Sequence, residues 1–95
     1  MEEKGTFEIR ENCLLVYLPE ELDHHAAKEI RTLADHYLGD DRVEQVVFDF
    51  RNTLFMDSSG IGLVAGRNEK ISYLGGRTIV VNANERVRKM LKISY

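Results

Sequence analysis

With 95 residues, 43% hydrophobic and 31% charged, the chain has an ordinary globular composition and is long enough for one domain with a single core. A net charge of −3 argues against a nucleic-acid partner, which would call for a basic face. The single cysteine, Cys13, excludes an internal disulfide and a cysteine-built zinc cage, and no apolar run is long enough to span a bilayer. Met1-Glu2-Glu3-Lys4 carries no signal-peptide pattern, so the expected location is cytoplasmic.

In chain order, Thr6 to Arg10 alternates as a half-exposed strand does, Glu11-Asn12 suits a turn, and Cys13 to Leu18 is a nearly continuous apolar strand. The two strands are expected to form a hairpin, with Cys13 as a small core residue. Pro19 ends the ladder because it has no N–H to donate. Asp23 is expected to cap a first helix whose apolar face carries Ala26, Ala27, Ile30, Leu33, Ala34, Tyr37 and Leu38, with Leu33 at its middle. Lys28, Glu29, Arg31 and Asp35 fall on the opposite, solvent face. Gly39 is expected to stop the helix in the left-handed conformation, before an exposed link at Asp40-Asp41-Arg42. Val43 to Phe50 predicts a second buried strand and Arg77 to Val81 a further one. Asn82-Ala83-Asn84 supplies caps for a last helix with Val87, Met90 and Leu91 on one face. Strands alternating with helices of crossover length predict an α/β domain: a mixed, mostly parallel sheet with helices packed on it.

Between the second buried strand and the middle helix stands Phe55-Met56-Asp57-Ser58-Ser59-Gly60-Ile61-Gly62. Leu63, Val64, Arg67, Ile71 and Leu74 follow at helical spacing, and Gly75-Gly76 closes the helix, so the stretch is a strand-to-helix junction. Asp57 can cap this helix, which puts Ser58 and Ser59 in its first turn near the positive end of the dipole. Gly60, Gly62 and Gly66 are poor helix formers. Their expected return is close backbone approach or a bare surface for a partner.

The string Met56-Asp57-Ser58-Ser59-Gly60-Ile61-Gly62, with Glu21-Leu22-Asp23-His24-His25-Ala26 ahead of the first helix, resembles the signature of the anti-sigma factor antagonists, bacterial members of the STAS domain family, and within them the sporulation type. The resemblance runs from the first strand to the end of the chain and makes residues 1–95 one STAS domain. It implies a protein that, when unphosphorylated, binds an anti-sigma factor and so releases a sigma factor. It implies too that this anti-sigma factor is a serine kinase, which uses ATP and Mg²⁺ to phosphorylate Ser58 and break the complex, and that a serine phosphatase resets it. Asp23, His24, His25, Asp57, Ser58, Ser59, Gly60 and Gly62 are the partner surface expected on this reading. The chain is then substrate and ligand rather than enzyme, with no cofactor or metal of its own. A phosphate adds about −1.5 to −2 charges, which a helix N-terminus tolerates and an interface shaped for a hydroxyl does not.

Two departures from the family pattern stand out. Glu20 takes a place where the family commonly has glycine, a strained choice if that position needs positive φ. The chain also stops at Tyr95, without the family's C-terminal strand and helix. A trimmed chain, a natural short form and a half that completes itself in an oligomer all remain open, and the bare edge around Thr78 to Val81 predicts self-association.

Other chemistry is weaker. Asp57, beside Ser58, could help a kinase orient the hydroxyl. Adjacent His24 and His25 point to different sides of a helix and make a poor metal site, and His36 falls on the solvent side. Ser58 with Asp23 and His24 or His25 could be drawn as a hydrolase triad, but the junction lacks the Gly-x-Ser-x-Gly turn. The glycines lack a Walker-type ending. A structural STAS module, either a stress-complex scaffold subunit or the cytosolic part of an anion transporter, is the alternative function.

Overall fold

The computed structural model describes residues 6–93, so what was expected of Met1 to Lys4 and of the end at Tyr95 lies outside the described residues. In chain order the elements are β1 (Thr6–Arg10), β2 (Cys13–Tyr17), β3 (Glu21–Leu22), α1 (His24–Leu38), β4 (Gln45–Asp49), β5 (Phe55–Met56), α2 (Ser58–Tyr73), β6 (Arg77–Val81) and α3 (Glu85–Leu91).

The hairpin forms as expected. β1 runs antiparallel to β2 from Thr6 opposite Tyr17 to Arg10 opposite Cys13, and Glu11 turns the chain at φ 55°. β2 pairs parallel with β4, and β4 parallel with β6, giving a mixed four-stranded sheet in the order β1-β2-β4-β6. The crossovers are helical because parallel neighbours need a long connection, and α1 and α2 supply it. Leu14, Val16, Val46 and Phe48 are wholly buried on one sheet face, in the core cluster that also takes Ile30, Leu63 and Ile71 from the helices. Cys13 is half-buried beside Leu14, because alternation along β2 turns it to the opposite face.

Several local expectations are corrected or resolved. Leu33 is 46% exposed, since the buried stripe of α1 is Ala27, Ile30, Ala34 and Leu38, and a neighbour of Ala34 is swung about 100° away from it. Gly39 is right-handed at φ −73°, and the helix tapers instead through a bond from Gly39 N–H to the His36 carbonyl. The left-handed glycine is Gly75, φ 86°, after α2, where Leu74 is left 65% exposed. Glu20 is absent from the positive-φ positions, so its turn carries no such strain.

Asp35 does not face open solvent. It joins α1 to α2, its two oxygens 3.0 Å from Arg67 Nε and 3.1 Å from Lys70 Nζ. Arg67 is 6% exposed, and burial pushes its guanidinium pKa down; Asp35 opposes that shift and Arg31 adds to it.

Candidate functional site

β3 and β5 are only two residues long, yet they position everything that follows. They pair parallel, Glu21 beside Phe55 and Leu22 beside Met56, and the Glu20 carbonyl accepts from the N–H groups of Leu54 (2.8 Å) and Phe55 (3.1 Å). Thr53, buried, donates its hydroxyl to the Pro19 carbonyl at 2.9 Å, and Asn84 Nδ2 donates to the Thr53 carbonyl at 3.2 Å. Upstream, Asp49 accepts from the Arg51 backbone and side chain and from Asn82 Nδ2. Burial works against the charged Asp49, but these bonds outweigh it and hold its pKa below the usual carboxylate value. The loop after β4 is thus fastened at both ends.

Because the two short strands run side by side, the two helices after them begin side by side. Asp23 caps α1, accepting from Ala26 N–H at 2.9 Å, and Asp57 caps α2, accepting from Ser59 N–H at 2.8 Å. Asp57 also reaches across: its second oxygen accepts from the N–H of His24, the first residue of α1, at 3.1 Å. One carboxylate therefore satisfies free amides of two helices. The His24 ring returns the link, Nδ1 lying 3.2 Å from Ser59 Oγ.

Of the residues expected at a partner surface, His24, Asp57 and Ser59 are drawn into this one network, while Asp23 caps α1 beside it. Ser58 is exposed, and no hydrogen bond to its hydroxyl is found among the described residues. His25 turns away, 3.7 Å from Glu29 one turn along α1. The two helix glycines split. A Cβ on Gly60 would run into Cγ and Sδ of Met56 and come within 3.1 Å of Leu22, whereas one on Gly62 would meet nothing within 4 Å. Gly60 is thus the close-packing position, buried against β3 and β5, and Gly62 leaves surface bare. Between the helices runs a groove of about 280 Å³ lined by His24, Lys28, Arg31, Ser59, Gly62 and Leu63.

Sequence reasoning passed over Leu54 and named Phe55 only as the start of the junction, without assigning it to the partner surface; they are 68% and 42% exposed. Two apolar residues in a loop that has already left its buried strand were the available signal. Arg86 of α3 lies over the Phe55 ring, 6.0 Å from its centroid. No cluster of His, Cys, Asp or Glu suited to a metal occurs among the described residues. Chemically, the site offers an accessible hydroxyl at the head of a capped helix, and no hydrogen-bonded base engages it among the described residues.

A mixed sheet whose short side ladder sets two capped helices together, with Asp-Ser-Ser-Gly at the second, defines a STAS domain; residues 6–94 match that family, and the chain belongs to it. Within the family it stands with the anti-sigma factor antagonists. It is 34% identical over 86 residues to the anti-sigma F factor antagonist of Lysinibacillus sphaericus, covering 90% of this chain and 74% of that one. Against the protein of the same name in Paenibacillus polymyxa it is 37% identical over 81 residues, 85% of this chain and 69% of the other. The solved structure of the Bacillus cell fate determinant SpoIIAA in its phosphorylated form superposes with a TM-score of 0.82 at 34% identity, covering 93% of this chain and 80% of that one. No helix among the described residues is long and apolar enough to cross a membrane.

Proposed function

We propose that this chain, unphosphorylated, binds an anti-sigma factor that is also a serine kinase, displaces the sigma factor it holds, and is released when that kinase phosphorylates Ser58. The observation that carries the reading is the contrast between the two serines: Ser58 stands exposed at the head of α2 while Ser59 is half-buried in the Asp57–His24 network. Its named relatives are anti-sigma F factor antagonists, and SpoIIAA has been solved carrying phosphate. Exposed Leu54 and Phe55 supply an apolar anchor beside the hydroxyl, and bare Gly62 lets a partner approach the helix. A phosphate on Ser58 would sit one residue from the Asp57 carboxylate, so it would place about two added charges in the contact without breaking the fold.

The test is a binding and labelling experiment with the anti-sigma factor of the same organism, ATP and Mg²⁺. Wild type is expected to bind, to take phosphate on Ser58, and then to dissociate. Ser58→Ala should bind and stay bound after ATP is added. Ser58→Asp should bind weakly, since one uncompensated charge buried in an interface costs several kcal/mol, about a hundredfold or more in affinity. Phosphate on Ser59 alone, or full labelling of Ser58→Ala, would overturn the reading. Elution of the wild-type chain in a large assembly without the anti-sigma factor would favour a scaffold role instead.

A further inference from the structure

Ser58 and Ser59 are neighbours in the first turn of α2 and carry the same hydroxyl. We propose that His24 is the specificity-determining residue that withholds Ser59, so that phosphate goes to Ser58 alone; this rests on the phosphorylation reading above.

Phosphoryl transfer needs a mobile, outward hydroxyl. The serine oxygen attacks the γ-phosphorus of ATP, a new O–P bond forms as the bond to the ADP oxygen breaks, and the hydroxyl proton passes to a base on the kinase. Ser58 meets this requirement, being exposed and unengaged. Ser59 fails it for three reasons. Its backbone N–H is fixed on Asp57 at 2.8 Å, its side chain is half-buried, and its Oγ lies 3.2 Å from His24 Nδ1. Either tautomer of the ring engages the hydroxyl, as acceptor of its proton or donor to its oxygen, and each turns it toward α1 rather than toward a kinase. His24 can do this because its own N–H is held on Asp57 at 3.1 Å, which fixes the ring's origin. The discriminating residue thus lies 35 positions from the serine it restrains, across the α1–α2 seam.

The experiment measures, by phosphopeptide mass spectrometry, the ratio of Ser59 to Ser58 phosphate on chains labelled by the anti-sigma factor of the same organism with ATP and Mg²⁺. A ratio within one chain does not depend on how tightly a variant binds. Wild type should carry phosphate on Ser58 only. His24→Ala and His24→Gln, whose amide reaches the Nε2 rather than the Nδ1 position, should raise the ratio about 2- to 10-fold, the scale of one lost hydrogen bond. His24→Asn, whose amide mimics Nδ1, should restore the wild-type ratio, which a role in stability alone would not produce. In a Ser58→Ala background, His24→Ala should create labelling on Ser59 where Ser58→Ala alone has none. An unchanged ratio in both loss variants overturns the proposal. So does loss of all phosphate from every His24 variant, which would assign His24 to acceptance at Ser58 itself. An unlabelled wild type would defeat the underlying reading instead.

Discussion

Replacing glycine by alanine at two positions of α2, two residues apart, should move stability in opposite directions. In a helix interior, Gly→Ala gains about 1 kcal/mol of propensity wherever the methyl group has room. At Gly62 it has room, with nothing within 4 Å, so Gly62→Ala should stabilise by up to that amount. At Gly60 the same methyl group runs into the middle of the Met56 side chain, itself only 2% exposed, and against Leu22 at 3.1 Å. Met56 cannot swing aside without disturbing the core, and overpacking of this kind costs about 1–3 kcal/mol. The propensity gain is common to both variants and cancels in their difference, leaving the overpacking cost alone. At about 4–8 °C per kcal/mol for a domain of this size, Gly60→Ala should melt several degrees or more below Gly62→Ala. Thermal unfolding followed by circular dichroism, with urea titration as a second measure, reads the difference directly. Melting points within about 2 °C of each other would refute the packing argument at Gly60. Gly62→Ala should also bind the anti-sigma factor less well despite its higher stability, because the methyl group stands on the bare surface.

Leu33→Ala should cost less than about 1 kcal/mol and Ile30→Ala about 2–5 kcal/mol, since Leu33 is 46% exposed and Ile30 only 1%; equal losses in urea unfolding would place the α1 stripe wrongly. Asp49 has a lowered pKa in the folded chain, so its contribution is present above the unfolded value of about 3.9 and is lost as pH falls through the folded value. Asp49→Asn should therefore flatten the decline of Tm as pH falls below about 4, and an identical decline would show that the Arg51–Asn82 clasp contributes nothing. Arg67→Met should be close to neutral, because Asp35 keeps Lys70 at 3.1 Å, whereas Asp35→Ala strands a buried guanidinium and should lose a large part of the ~3–5 kcal/mol typical of a broken buried pair. Denaturant curves showing the reverse order would disprove this account of the clasp.

The alternation of strands and helices, the hairpin turn and all three helix caps were legible in the chain, because each depends on residues adjacent in sequence: Asp23 before Ala26, Asp57 before Ser59, Asn84 before Val87. What was not legible depends on distant partners. Nothing in Glu21-Leu22 announces that it pairs with Phe55-Met56, since a two-residue strand has no period to detect. Without that pairing, His24 and Ser59 are two separate candidates rather than one contact. Asp35 misled for a similar reason: a charge on the polar side of a helical pattern reads as solvent-facing until the opposing helix is known to carry its counter-ion. Leu33 fell to the coarseness of an apolar stripe, whose edges depend on how far the neighbouring helix overlaps it.

The double duty of Asp57 has a consequence for motion. The amides of His24 and Ser59 belong to different helices, 35 residues apart, yet both are anchored on the same carboxylate. Rotation of that one side chain frees both at once. In native-state hydrogen exchange they should open together, with similar protection and a similar response to denaturant, as one small cooperative unit rather than as two frayed helix ends. The ledge that carries Ser58 is then a hinge pin shared by two helices, and a disturbance at the head of α2 is felt at the head of α1 through a single pair of oxygen atoms.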